Sequence, residues 1–337
     1  MTLKGKEWLA QVVEEPIEPE RPLCDPHHHL WDKPDSRYLA EELLADIADN
    51  NVVSTVFIER MTEWRQDGPD EMKPIGETEF VQAIADKHAD GETKVCAGIV
   101  GMADLSLGDS VKPVLEAHLK ASPNRFRGVR HATSYDANEE VNNSHVGAPE
   151  KLMMDSKFRE GVACLREYNL TFDAWLFHPQ LPELIDLAKA DPDTTIILNH
   201  FGGPLGVGTY KGKRAEIFDT WRDSINDLAQ CPNVHVKLGG LAMPINGFGW
   251  NARPKPPTST ELAEATSAYY LHTIEKFGPD RCMFESNFPV DKMSCPYTVI
   301  WNSFKRIASG FSDAEKDLLF HDTAARLYRL QDSATPA

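Results

Sequence analysis

The sequence predicts an α/β protein, a (β/α)8 TIM barrel with an extra C-terminal helix. Three observations carry this. Short apolar, β-branched runs recur eight times, amphipathic helical patterns lie between them, and 337 residues is an ordinary length for such a barrel. The eight runs are RPLCDPHHHLW (21–31), VVSTVFIER (52–60), KVCAGIVGM (94–102), RFRGVRHAT (125–133), NLTFDAWLFH (169–178), TTIILNHFGG (194–203), NVHVKLGGL (233–241) and RCMFESNFP (281–289).

The intervening segments repeat apolar residues at helical spacing, as Phe80, Ile84 and Ala85 do, or Leu181, Leu184 and Leu187. The last pattern, SDAEKDLLFHDTAARLYRL, opens with a capping box from Ser312 to Glu315 and is the extra helix. An open doubly wound sheet is the rival architecture. It usually carries a glycine-rich first turn, whereas FGGPLGVG follows the sixth run and matches no dinucleotide fingerprint. The whole chain reads as one domain, with residues 1–20 as an N-terminal extension and 331–337 as a tail. The long stretches 62–76 and 239–259 read as loops on the catalytic face.

Composition narrows the function. The formal charge is −17, which disfavours nucleic acid and anionic membrane as partners and leaves room for a small-molecule substrate, an anionic one included. No segment is apolar enough for a membrane span or a secretory signal, and six scattered cysteines fit reduced thiols, so the expected location is cytoplasmic.

In a barrel the chemistry gathers at the carboxyl ends of the strands. His27 and His29 lie two apart at the end of the first strand and can chelate a metal, while His28 points the other way. His178 and His200 close the fifth and sixth strands. Arg130 and His131 end the fourth, Glu59 the second and Lys237 the seventh. Arg130 and Lys237 can each hold a substrate carboxylate, or can pair with a barrel acid; Glu59 is the natural partner of Arg130. Tyr210 and Trp250 lie in strand-end loops that can shape a substrate pocket. At the eighth strand, Glu285 and Asn287 are two apart and share a face if the strand stays extended.

DPHHHLWD, GVRH, FHPQLPEL, IILNHFGGP, VHVKLGGL and FESNFP, in this order and spacing, resemble the amidohydrolase superfamily, in particular its amidohydrolase 2 branch. The resemblance runs from about Leu23 to Leu330. It implies a hydrolase, with lactonases and non-oxidative decarboxylases as relatives, and in many members a mononuclear divalent metal such as Zn or Mn. The implied ligands are His27, His29 and His178 with an acid from the eighth strand; His200 is a further ligand or an acid–base group. Some lactonases of the branch use no metal, and members are often dimers or higher, so a homo-oligomer is open.

This chain departs from the pattern at one point. The branch usually shows SD before an aromatic residue and Pro; here it is SN, and Asn287 stands where the carboxylate belongs. An amide is no base at neutral pH and a poorer metal ligand than a carboxylate. Glu285, one pleat deeper, is the candidate replacement, as ligand and catalytic acid, with Asn287 bonding a substrate oxygen or water. The leading expectation is a lactonase-type hydrolase acting on a small, anionic lactone or ester. A metal-dependent decarboxylase of an aromatic or muconate-type acid is the alternative, and a metabolite-binding barrel that has lost its base is a third.

Overall fold

A computed structural model describes residues 5–34, 36–141 and 147–330. The expected tail at 331–337 and the first four residues of the expected extension at 1–20 lie outside the described residues.

Eight parallel strands form one sheet in chain order: β1 (Leu23–His28), β2 (Val52–Ile58), β3 (Lys94–Gly101), β4 (Phe126–Val129), β5 (Thr171–Ala174), β6 (Ile196–Leu198), β7 (Val234–Leu238) and β8 (Cys282–Phe284). A helix follows each strand, from Ala40–Ile47 after β1 to Tyr297–Ile307 after β8. Burial on both faces explains why the strands read as continuous apolar runs rather than alternating ones: β1, β5, β6, β7 and β8 are buried at every position. A small antiparallel hairpin, Trp31–Lys33 with Ser36–Tyr38, interrupts the first crossover and was not foreseen in the sequence.

The sheet closes where β8 meets β1. His29 N–H donates to Phe288 O at 2.7 Å and Asn287 N–H to His27 O at 2.9 Å. Asp25 clasps the same seam from β1. Its carboxylate accepts from Ser286 N–H (3.0 Å) and from the Tyr297 hydroxyl (2.9 Å), and burial pushes its pKa up to about 6. Pro26 has no N–H to give a ladder, and the β1–β2 register shifts between Asp25 and His28.

The floor of the barrel is filled by the last helical segment among the described residues. Asp313–Asp317 and Thr323–Leu327 are α-helical and joined through a π turn at Leu318–Asp322. The predicted capping box is present, Ser312 N–H donating to Glu315 at 2.8 Å. Tyr328 then enters the floor, fully buried among Cys24, Val56, Ile58, Val100, Ile197 and Met283. The N-terminal extension packs over the outer helices, with Trp8 bonded to Arg253 O and Ile17 to Asn302. All six cysteines are unpaired and buried. Among the described residues no helix is long and apolar enough to cross a membrane.

Candidate active site

The site grows from three strand ends. β1 delivers His27, the turn after β6 delivers His200, and the residue after β8 is Glu285. Each is almost sealed from solvent, at 0%, 2% and 0% exposure. Glu285 Oε1 lies 2.5 Å from His200 Nδ1, and Oε2 lies 2.7 Å from His27 Nδ1. The two imidazoles are 4.4 Å apart between ring centroids.

The Gly239–Gly240 pair after β7 makes room for this cluster. A Cβ on Gly239 would stand 2.4 Å from Glu285 Cγ, and one on Gly240, whose φ is +74°, would stand 2.4 Å from His200 Nδ1. The backbone of His200 itself is left-handed, φ +53°, as is that of Phe201 at +58°. Such conformations cost a non-glycine residue roughly 1–3 kcal/mol and cluster at functional sites. Trp175 stands edge-on to His200 at 4.9 Å.

Two buried ion pairs flank the cluster. Arg130 Nε donates to Glu59 Oε1 (2.7 Å) and Nη2 to Glu59 O (2.6 Å), which leaves Nη1 3.4 Å from His27 Nε2. Lys237 Nζ donates to Asp173 Oδ2 at 2.7 Å and lies 3.5 Å from His27 Nδ1. Asp173 is further held by the Tyr328 hydroxyl (2.8 Å), Thr171 (3.1 Å) and Asn199 (3.3 Å). Both cations offered by the sequence as carboxylate-holders are thus already partnered by barrel acids. Burial, reinforced by Lys237 and by the neighbouring histidines and Arg130, holds His27 well below the usual imidazole pKa. Burial also lowers His200, although Glu285 opposes it. Both rings are therefore neutral at pH 7.

The remaining candidates lie further out. His29 is next to His27, rings 5.0 Å apart, but its Nδ1 is engaged with Ile58 O at 2.8 Å. His178 Nδ1 accepts from Leu205 N–H at 3.3 Å, its ring packs on Tyr210, and burial lowers its pKa to about 4. The Tyr210 hydroxyl donates to Asp136 at 2.6 Å. His131 accepts from Leu105 N–H at 3.1 Å and lines a separate cleft with Asp104, Ser106 and Lys157. Trp250 stacks on Phe248. Asn287 does not continue an extended strand with Glu285: β8 ends at Phe284 and Asn287 has φ +55°.

The donor set suits a divalent cation. Among the described residues, His27, His200 and Glu285 place ligand atoms within 4.8 Å of one another, whereas His29 and His178 do not join them. Two neutral imidazoles and a carboxylate are the ligands zinc takes. Glu285 Oε2, despite its closeness to His27, makes no aligned hydrogen bond, so a buried oxygen is left to be satisfied.

Comparison with known proteins fits this picture. The Amidohydrolase (Amidohydro_2) family model matches residues 24–330. The chain belongs to the amidohydrolase family. One family relative, the uncharacterized protein y4mH of Sinorhizobium fredii, is 34% identical over 330 residues, covering 91% of this chain and 98% of that protein. An L-fucono-1,5-lactonase of Burkholderia multivorans is 26% identical over 325 residues, covering 92% and 97%. The crystal structure of an amidohydrolase from Burkholderia multivorans with bound zinc superposes with a TM-score of 0.71 at 23% identity, covering 92% of this chain and 99% of that one, which establishes the shared fold.

Sequence reasoning missed Asp173, Trp175 as a neighbour of His200, and Asp25. An acid inside the apolar run TFDAW was a readable signal, because a buried carboxylate needs a partner.

Proposed function

We propose that this chain hydrolyses a small lactone or ester, with Glu285 and His200 as its acid–base pair. The observation that carries this reading is the Glu285 carboxylate, sealed at the mouth and held between two imidazoles. The lactonase among the relatives supports the substrate class.

Glu285 accepts from His200 Nδ1, which places the ring proton there and leaves Nε2 as the proton acceptor. His200, kept neutral by burial, can take a proton from attacking water and return it to the leaving alkoxide. Arg130, held by Glu59, keeps one N–H pair turned toward His27, where a donor can meet charge developing on the carbonyl oxygen. An apolar cluster of Ala132, Val141, Trp175, Phe177, Leu205, Met243 and Val290 adjoins the site and limits water. His27, His200 and Glu285 would alternatively hold a divalent metal such as Zn or Mn, which when bound would take His200 out of proton transfer and would itself polarise a carbonyl and acidify its water.

The test is a panel of lactones and esters against protein of measured metal content, with and without chelator. Turnover is expected, and Glu285→Gln should lower kcat by about 10²–10⁴-fold. Absence of lactone and ester turnover with Zn or Mn supplied, together with CO2 release from an aromatic or muconate acid, would replace the hydrolase reading by the decarboxylase.

A further inference from the structure

Arg130 and Lys237 are committed to barrel acids, but a third cation at the mouth is not. Arg60 follows Glu59 just beyond the end of β2 and is half-buried. Its backbone is pinned. Arg60 N–H donates to Glu77 Oε1 at 2.7 Å and Thr62 N–H to the same oxygen at 3.1 Å, from the first turn of the helix Ile75–Lys87. The guanidinium is not held in this way. Among the described residues it meets no hydrogen-bond acceptor and no ion-pair partner, and none of its nitrogens is sealed from open space.

The acids around it do not answer its charge. Glu59 is committed to Arg130. Glu77 is buried, and burial together with the charge of Glu59 pushes its pKa up to about 8, so it is uncharged at neutral pH. Burial lowers the pKa of Arg60, against Glu59 and with Arg130, whereas Arg65, which Glu79 holds, is raised. The charge of Arg60 is also felt on the neighbouring strand. Burial, Arg130 and then Arg60 lower His29, whose ring lies 5.0 Å from His27. Burial and then Arg60 lower Lys33, in the hairpin that follows β1. Lys33 meets no ion-pair partner among the described residues either; its Nζ lies 6.0 Å from the centroid of the Trp31 ring. Two cations thus lie within range of each other's charge on the β1–β2 rim, in a chain whose formal charge is −17. A half-buried donor fork without an acceptor is costly unless a ligand supplies one.

We propose that Arg60, with Lys33 beside it, is the specificity-determining residue of a carboxylate subsite on the β1–β2 rim of the mouth. The planar fork of Arg60 receives both carboxylate oxygens, and Lys33 adds a point charge. This rests on the hydrolase reading above and deepens it. The lactone or ester carries a carboxylate apart from the carbonyl that is attacked, and Arg60 holds it where Arg130 and Lys237 are already engaged.

The experiment compares the γ-lactone of 2-hydroxyglutaric acid with its uncharged carboxamide on the whole chain and on Arg60→Gln, Arg60→Lys and Lys33→Gln. The parent should favour the carboxylate by about tenfold or more in kcat/KM, mostly through KM, and added salt should shrink that preference. Arg60→Gln should bring the ratio close to one, and Arg60→Lys should restore part of it. Lys33→Gln should lower the ratio by about threefold. An unchanged ratio in Arg60→Gln would overturn the proposal, as would a parent with no preference for the carboxylate. If neither lactone is hydrolysed, the panel above decides the hydrolase reading, and calorimetric titration of glutarate decides the subsite by itself. Parent binding that weakens about tenfold in Arg60→Gln supports the subsite; absent binding, or equal binding to both proteins, overturns it.

Discussion

Asp173→Asn is the sharpest test of how the site is held. The carboxylate is fully buried and accepts from Lys237, Tyr328, Thr171 and Asn199, while Lys237 is equally sealed. The amide keeps the shape and removes the charge, so the Lys237 ammonium is left in the barrel with no counter-ion. Breaking a buried pair from one side costs about 3–5 kcal/mol. Because the amide oxygen still accepts from Tyr328 or Asn199, the lower end, ~3 kcal/mol, is expected. With an m-value of about 3 kcal/mol per molar, the urea midpoint followed by tryptophan fluorescence should fall by roughly 1 M. Asp173→Leu combined with Lys237→Met removes both charges and should cost less than either change alone. A midpoint loss of under ~0.3 M for Asp173→Asn, or a double variant weaker than both singles, would refute the view that this pair is held by mutual compensation. Activity should fall as well, because Lys237 stands 3.5 Å from His27.

Three further outcomes are expected. Gly240→Ala forces a Cβ against His200 Nδ1 at a left-handed position and should lower kcat by about 10²-fold with the fold retained, measured by steady-state kinetics and circular dichroism. Tyr328→Phe removes one donor from Asp173 and should cost about 1 kcal/mol, read from urea unfolding. Acid should destabilise the protein: burial holds His28 at about 3 and His118, His178 and His235 at about 4, against 6.5 in the free side chain. Below ~6.5 the unfolded chain binds protons that the folded chain refuses, so stability falls as pH drops toward 4. Asp25 and Glu77, raised by burial to about 6 and about 8, protonate first in the folded chain and offset part of this. The urea midpoint should be lower at pH 5 than at pH 7; an equal or higher one would contradict the balance.

Strand–helix alternation made the barrel legible, since apolar runs of strand length between amphipathic segments have few other ways to pack. The strand ends also disclosed Glu285, His27 and His200 as candidates. What periodicity could not reach was how they converge. The pleat rule fails where the backbone leaves the extended region, as at Asn287 and His200, both with positive φ. The register shift around Pro26 likewise alters how β1 presents His27 and His29. Thus His200, rather than His29 or His178, shares Glu285 with His27. Asp291, which accepts from Asn287 Nδ2, was invisible for another reason: four residues beyond Asn287 it reads as a loop acid, and only the fold brings it against that amide.

The barrel floor has a consequence for how the molecule is made. Tyr328 reaches Asp173 across 155 positions of sequence, and the β1 edge waits for residues near 287 to complete its seam. A ribosome releasing the chain from its N-terminus therefore exposes β1 with one partner until residues near 287 have emerged, and leaves the Lys237–Asp173 pair without its tyrosine until Tyr328 has emerged. Contacts this distant in sequence form late and slowly. The catalytic cluster should accordingly assemble after translation rather than during it.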